Sequence, residues 1–517
     1  MSLLRNIWKL YKGITLYLPI IIGVIAAYTG IVWPKAGEVI MVLVMIIAMV
    51  AIMGISVVIV QRLKPVGMPH GSAAFAGWRD LRRRGLLGRR GLILGKAFWR
   101  YLRFDQDGHL LTFAPTRTGK GVGCVIPNLL DHPGSVVVTD IKGENFATTG
   151  RRREALGPVF PLAPFSRDIE TARYNPLDFI RTGEPEDVDD AALIANLLVP
   201  NNGNQSFWDS EAENLIAMLL LYVVHEFPVD HRNLHQVWML LMLSRADFDA
   251  MLAHMQGSQH PAIRKAATGF CQKEERERSA VISTAQTHMK IWRSPNLARA
   301  TAWSDFQLEG LKQRVMSLYI VIPPELLSVY QPFLRLMVGL SISAMTRVQA
   351  KPENRVVFFL DEIAALGRMG PVETAIGYLA GYGVSLWLFF QDLDQLQKTY
   401  PKWRSMIANC NVRQAFGVSD YETAKELSAM LGQRTMKVSN KSRSGDWLMP
   451  LPEHVSRQSS QIARPLLTPD EIMTMPQDSQ LIFVQACRPI PAKKLRYFVE
   501  RVFRASQNSS VSSQERK

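Results

Sequence analysis

The stretch from Leu111 to Leu130, LTFAPTRTGKGVGCVIPNLL, decides the fold. It reads as an apolar strand, a tight turn of small residues with one lysine, and then an apolar helix. Such a turn lets backbone N–H groups converge on one point, and the helix N-terminus adds partial positive charge there. A phosphate group fits that point. Thr116, Arg117, Thr118 and Gly119 form the turn, Lys120 is placed to reach phosphate oxygens, and Gly121 to Gly123 opens the helix. The general phosphate-loop pattern is G-x-x-x-x-G-K-[ST]. Two positions depart from it here, Ala114 at the first place and Gly121 at the last. Ala114 is a mild change. Gly121 removes the hydroxyl that ordinarily ligates Mg²⁺. The nucleotide contacts expected from this loop are Ala114, Pro115, Thr116, Arg117, Thr118, Gly119, Lys120, Gly121 and Val122.

Outward from the loop, the chain alternates. HLLTFAP feeds the turn, and GSVVVTDIKGEN is a β-branched strand ending at Asp140. MSLYIVIPP, RVVFFLDE, VSLWLFFQD and RQAFGVSD follow later. Each is a short apolar run with a polar residue at its C-terminal end. Parallel strands buried on both faces have that look, with functional groups at the carboxyl edge of the sheet. The fold class is α/β. After RVVFFL come Asp361, expected to bind Mg²⁺, and Glu362, expected to orient or deprotonate the attacking water. Acids also favour helix N-termini for purely structural reasons. Gln391 ends the next strand, placed to sense a γ-phosphate. The catalytic set is therefore Lys120, Glu362 and Gln391, with ATP and Mg²⁺ as cofactors. Three such features in this order on successive strands point to one nucleotide site.

Between about Arg181 and Arg299 the pattern changes. DSEAENLIAMLLLYVVHEF, NLHQVWMLLML and CQKEERERSAVISTAQTHMKIW have helical spacing and no convincing strand, so an all-α domain at 181–299 interrupts the α/β body at 65–180 and 300–503. The segment Thr435 to Arg464 is basic, Ser-rich and Pro-interrupted, a flexible loop or a hairpin. The polar tail 504–517 is expected to be disordered.

At the N-terminus, Gly13 to Trp33 and Val39 to Val60 are apolar runs, each enough to cross roughly 30 Å of hydrocarbon as a helix. Arg5, Lys9 and Lys12 precede the first and Arg62 and Lys64 follow the second, so residues 1–64 read as a transmembrane hairpin with both termini cytoplasmic. From His70 to Phe104 the chain is dense in arginine, fitting either a basic collar near anionic lipid or an amphipathic helix with a wet face. The whole chain has 60 Lys+Arg against 45 Asp+Glu, a net charge of +15, which favours a polyanionic partner. Its four cysteines are scattered without a CxxC pair, against a disulfide framework or a cysteine zinc site. Its ten histidines form no HxxxH or similar spacing, against a metal-dependent hydrolase.

Several long motifs resemble one family, the type IV coupling proteins of conjugation and type IV secretion, TraG type. They are HGSA (His70 to Ala73), APTRTGKGVG, DIKGEN (Asp140 to Asn145), YNPLDFI, FWDSEAENLI, FLDEIAALG, FFQDLDQL, FGVSDYETAKELSAMLG and ARPLLTPDEI. That family often carries Gly after the loop lysine. The resemblance implies a RecA-like ATPase with an inserted all-α domain, assembled as a homo-hexameric ring at the bacterial inner membrane. It implies partners too: a relaxase bound to single-stranded DNA, secreted effector proteins, and the secretion channel. The helical domain would form the cytosolic mouth. Arg368 and Arg413 are candidates for an arginine finger, and Lys437 to Arg443 for gripping a DNA backbone. Trp208 is read as packing a helix junction. A rival reading is a membrane-anchored receptor platform that binds ATP structurally and hydrolyses little, which Gly121 favours.

Overall fold

The computed structural model of the chain describes residues 69–199, 206–444 and 454–503, with positions 42, 45, 46, 48 and 49; side chains at 437, 439–444 and 454–459 are not described. The expected transmembrane hairpin, apart from those isolated helical positions, and the expected disordered tail lie outside the described residues. The chain divides into two units, Met1–Pro69 and His70–Lys517. The second unit carries the architecture below.

It opens with a short helix α1 (Trp78–Arg83) and an antiparallel pair, β1 (Leu92–Ala97) and β2 (Arg100–Phe104). The Arg-dense segment thus combines a short amphipathic helix, with Arg79, Arg82 and Arg83 exposed and Leu81 buried, and a strand pair. Leu92, Ile93 and Leu94 are all buried there, which a one-sided helix would not allow. Then β3 (His109–Phe113) runs into the phosphate-type loop, and α2 (Ile126–Asp131), β4 (Val136–Thr139), α3 (Glu144–Glu154) and β5 (Val159–Leu162) follow.

Seven helices and a further single helical turn (Gly310–Gln313) come next with no strand between them among the described residues: α4 (Asp187–Leu198), α5 (Phe207–Glu226), α6 (Leu234–Leu241), α7 (Arg245–Gln256), α8 (Pro261–Cys271), α9 (Glu275–Met289) and α10 (Pro295–Ala300). The alternation resumes with β6 (Ser317–Ile320), α11 (Leu327–Arg347), β7 (Val356–Leu360), β8 (Val384–Phe390) and β9 (Cys410–Ala415). After α12 (Tyr421–Leu431), β10 (Gln433–Ser444) and β11 (His454–Pro465) pair antiparallel, so the Ser-rich segment is a hairpin. Strands β12 (Ser479–Val484) and β13 (Ile490–Lys493) complete the body.

Eleven strands form one sheet in the order β2-β1-β13-β12-β9-β3-β8-β7-β4-β6-β5. From β9 to β5 every neighbouring pair is parallel, and from β9 outward to β2 every pair is antiparallel. The sheet is mixed, where the apolar runs alone suggested parallel strands. Those runs are continuous because both faces are covered. In β7, Val356, Phe358 and Leu360 join the core on the helical side, while Val357 and Phe359 pack into the opposite one with Trp387 and Phe389. Each such side chain contributes roughly 1.5–3 kcal/mol through burial.

Among the described helices, only the segment Pro324–Arg347 is long and apolar enough to cross a membrane, and more than half of its apolar window is buried inside the protein. It is a core helix. Its buried Arg335 donates to the carbonyls of Leu197 and Leu198 at 2.7 and 2.9 Å, capping the C-terminus of α4. Cationic caps suit that end of a helix.

Candidate functional site

Five loops leave the carboxyl edge of adjacent strands and meet. They follow β3 (residues 114–120), β4 (Asp140), β7 (Asp361, Glu362), β8 (Gln391) and β9 (Phe416, Gly417). A crevice at the carboxyl ends of parallel strands is where α/β sheets bind ligands.

The loop begins at Ala114, which is buried and ties its N–H to Phe390 of β8 at 2.9 Å. The Thr118 hydroxyl donates to the Pro115 carbonyl at 2.6 Å, closing the turn. Arg117 and Gly119 have φ of +62° and +95°. Glycine suits the second position because the conformation disfavours other side chains. A Cβ there would meet nothing within 4 Å, so the turn faces open space. Thr116 and Arg117 are exposed at its tip. Directly after Lys120, residues Gly121–Val125 form a wide π-helical turn that leads into α2. Turns of this kind are frequent at functional sites, and the first-turn N–H groups of a helix have no intrahelical partner.

Lys120 points across the crevice. Its Nζ lies 2.7 Å from Glu362 Oε1 and 3.2 Å from Asp361 Oδ1, and Gln391 Nε2 donates to Glu362 Oε2 at 3.0 Å. Thus the catalytic and metal residues expected from sequence, Lys120, Asp361, Glu362 and Gln391, come together. Burial alone would lower the lysine's pKa, yet the Asp361 and Glu362 carboxylates hold it above the ordinary value. Burial raises Asp361 above the usual carboxylate range although Lys120 opposes the shift. Glu362 sits in the left-handed region at φ +50°, a conformation that costs about 1–3 kcal/mol for a residue with a side chain. Its N–H is satisfied by Asp361 Oδ1 at 3.0 Å. The Thr139 hydroxyl donates to the Asp361 carbonyl at 2.9 Å and anchors the acid pair to β4.

Sequence reading passed over three contributors. Asp140 lies beside the acid pair, its buried carboxyl accepting from Phe146 N–H at 2.8 Å and Asn145 Nδ2 at 3.3 Å. Burial, with a smaller push from Asp361, raises its pKa. Lys494 donates from Nζ to the Thr118 carbonyl at 2.8 Å, bracing the loop from behind. Gly417 packs against Thr118 at φ +63°, where a Cβ would come 2.5 Å from Thr118 Cγ2. Only Asp140, at the end of a β-branched strand, had a signal in the sequence. On the open side of the loop is a cavity of about 460 Å³ lined by Arg117, Gly119, Val122, Met473, Arg496 and Phe498.

The remaining candidates lie elsewhere. Arg368 is engaged by Glu373 at 3.0 Å, and Arg413 sits within β9 between Leu111 and Phe483. Trp208 is 41% exposed in the first turn of α5 with its ring against Phe207. Lys437 to Arg443 lies along β10.

The cradle suits a polyphosphate: small residues in the turn, an unobstructed glycine, a lysine, and half-buried carboxylates to hold a divalent ion. The fold is an α/β nucleotide-binding fold with a large mixed sheet. Residues 74–517 match the family model for type IV secretory system conjugative DNA transfer, and the chain belongs to that family. It is 31% identical to the conjugal transfer protein TraG of Escherichia coli, over 84% of this chain and 77% of that protein. It is 29% identical to protein VirD4 of Agrobacterium fabrum, over 84% and 67%. Its fold resembles that of the plasmid coupling protein TrwB, solved in complex with ADP and Mg²⁺, with a TM-score of 0.60 and 17% identity over 84% of this chain and 95% of that one.

Proposed function

We propose that this chain is a coupling ATPase of the bacterial inner membrane, anchored by a hairpin at residues 1–64. It recruits relaxase-bound single-stranded DNA, protein substrates or both, and drives them into a type IV secretion channel. One observation carries the motor reading: Lys120 meets Glu362 at 2.7 Å in a crevice completed by Asp361 and Gln391. The TrwB complex with ADP and Mg²⁺ supports ATP and magnesium as the cofactors.

In this reading the loop amides and Lys120 would hold the phosphates, and Asp361 would hold the magnesium. Bound ATP supplies the phosphoryl group whose transfer to water releases the energy. Glu362 takes the proton from the attacking water, and Gln391 fixes the carboxylate that does so. Lys120 changes partners, leaving its acid pair for the phosphates, so that Glu362 becomes free to act as base. Subunits assemble as a homo-hexamer, with the helical region 181–299 at the cytosolic mouth. Net charge of +15 supports a DNA partner.

A second reading, a receptor platform that binds ATP without much hydrolysis, draws on Gly121, which offers no hydroxyl to the metal. Phosphate release by the full-length protein, with and without single-stranded DNA, separates the two. Lys120→Ala abolishes turnover and substrate transfer while membrane insertion persists. Transfer at the wild-type rate by that variant rejects the motor.

A further inference from the structure

Away from the nucleotide crevice, three helix ends bring ligand-type side chains to one point. Asp187 is the first residue of α4, His225 lies in the last turn of α5, and His260 caps the N-terminus of α8. Both imidazoles direct Nε2 at a single oxygen, Asp187 Oδ2, at 2.9 Å from His225 and 3.2 Å from His260. Their rings are tilted 36° to each other with centroids 4.5 Å apart, and the three ligand-type atoms are all within 4.8 Å of one another. Two donors in a tetrahedral zinc shell, each about 2.0–2.1 Å from the ion, stand roughly 3.3 Å apart. The two distances to Asp187 are close to that spacing already.

The surroundings favour a cation. Asp187 is buried, 5% exposed at its side chain, while the histidines keep 18% and 19%, leaving one side open to solvent. The α4 N-terminus is acidic, with Glu184, Glu186, Asp187, Asp189 and Asp190 in seven residues. His260 sits at the N-terminus of α8. Its Nδ1 is buried without a hydrogen-bond partner, so Nε2 alone accounts for the ring's orientation. The turn that carries it is pinned, with Ser258 Oγ donating to Glu226 Oε1 at 2.5 Å and accepting from the His260 N–H at 3.2 Å.

We propose that Asp187, His225 and His260 bind one divalent transition-metal ion of the zinc class, with solvent completing the shell. Two imidazoles and a carboxylate suit Zn²⁺ or Co²⁺, whereas Mg²⁺ and Ca²⁺ prefer oxygen donors throughout. The ion joins the ends of three helices separated by up to 73 residues of sequence, so it clamps the helical region independently of nucleotide.

The test uses full-length protein in detergent, stripped with a chelator and titrated with Co²⁺ in the absence of nucleotide. About one Co²⁺ per chain is expected, with visible absorption that added Zn²⁺ removes. His225→Gln combined with His260→Gln weakens uptake at least ~100-fold. Asp361→Asn, at the nucleotide crevice, leaves uptake unchanged. Sub-stoichiometric uptake by the wild-type chain, equal uptake by the histidine variant, or loss in Asp361→Asn each overturns the proposal. Should the histidine variant fail to fold, the wild-type titration and the Asp361→Asn comparison still decide.

Discussion

Glu362→Gln is the sharpest test of the crevice, because it removes a charge and a base while keeping the shape. Glu362 accepts from Lys120 Nζ at 2.7 Å and from Gln391 Nε2 at 3.0 Å. A glutamine has one oxygen for these two donors. It keeps the lysine contact through that oxygen, and Gln391 satisfies the new NH₂ by turning its own amide over. Lys120 stays neutralised by Asp361 at 3.2 Å, so the fold should lose only about 1–2 kcal/mol. Loss of a positioned general base costs about 10²–10⁴-fold in rate, or about 3–5 kcal/mol of barrier. Nucleotide affinity should hold or rise, since one negative charge facing the phosphates is gone. Phosphate release under saturating ATP, paired with fluorescent-nucleotide binding, measures both quantities on the same preparation. Turnover within threefold of wild type, with binding intact, refutes the role assigned to Glu362.

Gly417→Ala forces a Cβ to within 2.5 Å of Thr118 Cγ2 at φ +63°. The backbone strain is about 1–2 kcal/mol, and displacement of the phosphate turn should reduce turnover about 10²-fold; unchanged kinetics would detach the β9 loop from the site. Burial pushes His109 and, with help from nearby arginines, His132 down to about 4. Both imidazoles are therefore held neutral, and their contribution is complete above about pH 6.5 and lost as pH falls toward 4, roughly 3 kcal/mol each. Thermal midpoints should drop steeply between pH 6.5 and 4.5, and a flat profile contradicts this. DNA binding by backbone contacts should weaken with salt at a slope of about −0.7 per phosphate engaged on a single strand; fluorescence anisotropy across a salt series measures it, and a slope near zero removes phosphate gripping.

Much of the body could be read locally. A run such as VVFFL or VSLWLFF must bury both faces, and a polar residue at its end must lie at a sheet edge, so strands and their functional ends follow from adjacent residues. The turn around Lys120 is equally local, since small residues and one lysine before a helix are a few positions long. The switch from strand spacing to helical spacing near residue 181 needs no partner to be seen. The Arg-dense segment before β3 was ambiguous for the opposite reason. Its glycines and arginines permit helix or strand, and both occur: Trp78–Arg83 is helical, while pairing with β2 and β13 holds Leu92–Ala97 as a strand.

Sequence alone therefore determined the α/β class, the phosphate turn, the acid pair and the helical interruption, because each is written in contiguous residues through period and polarity. Tertiary structure decided which of these meet. Lys120 reaches Glu362 across 242 positions only because β3, β8 and β7 are neighbours with their carboxyl ends aligned. The antiparallel half of the sheet, the brace from Lys494, and the gathering of Asp187, His225 and His260 were likewise set by packing. Strand order and helix-end contacts arise from burial summed over the whole chain, and no short window of sequence contains that sum.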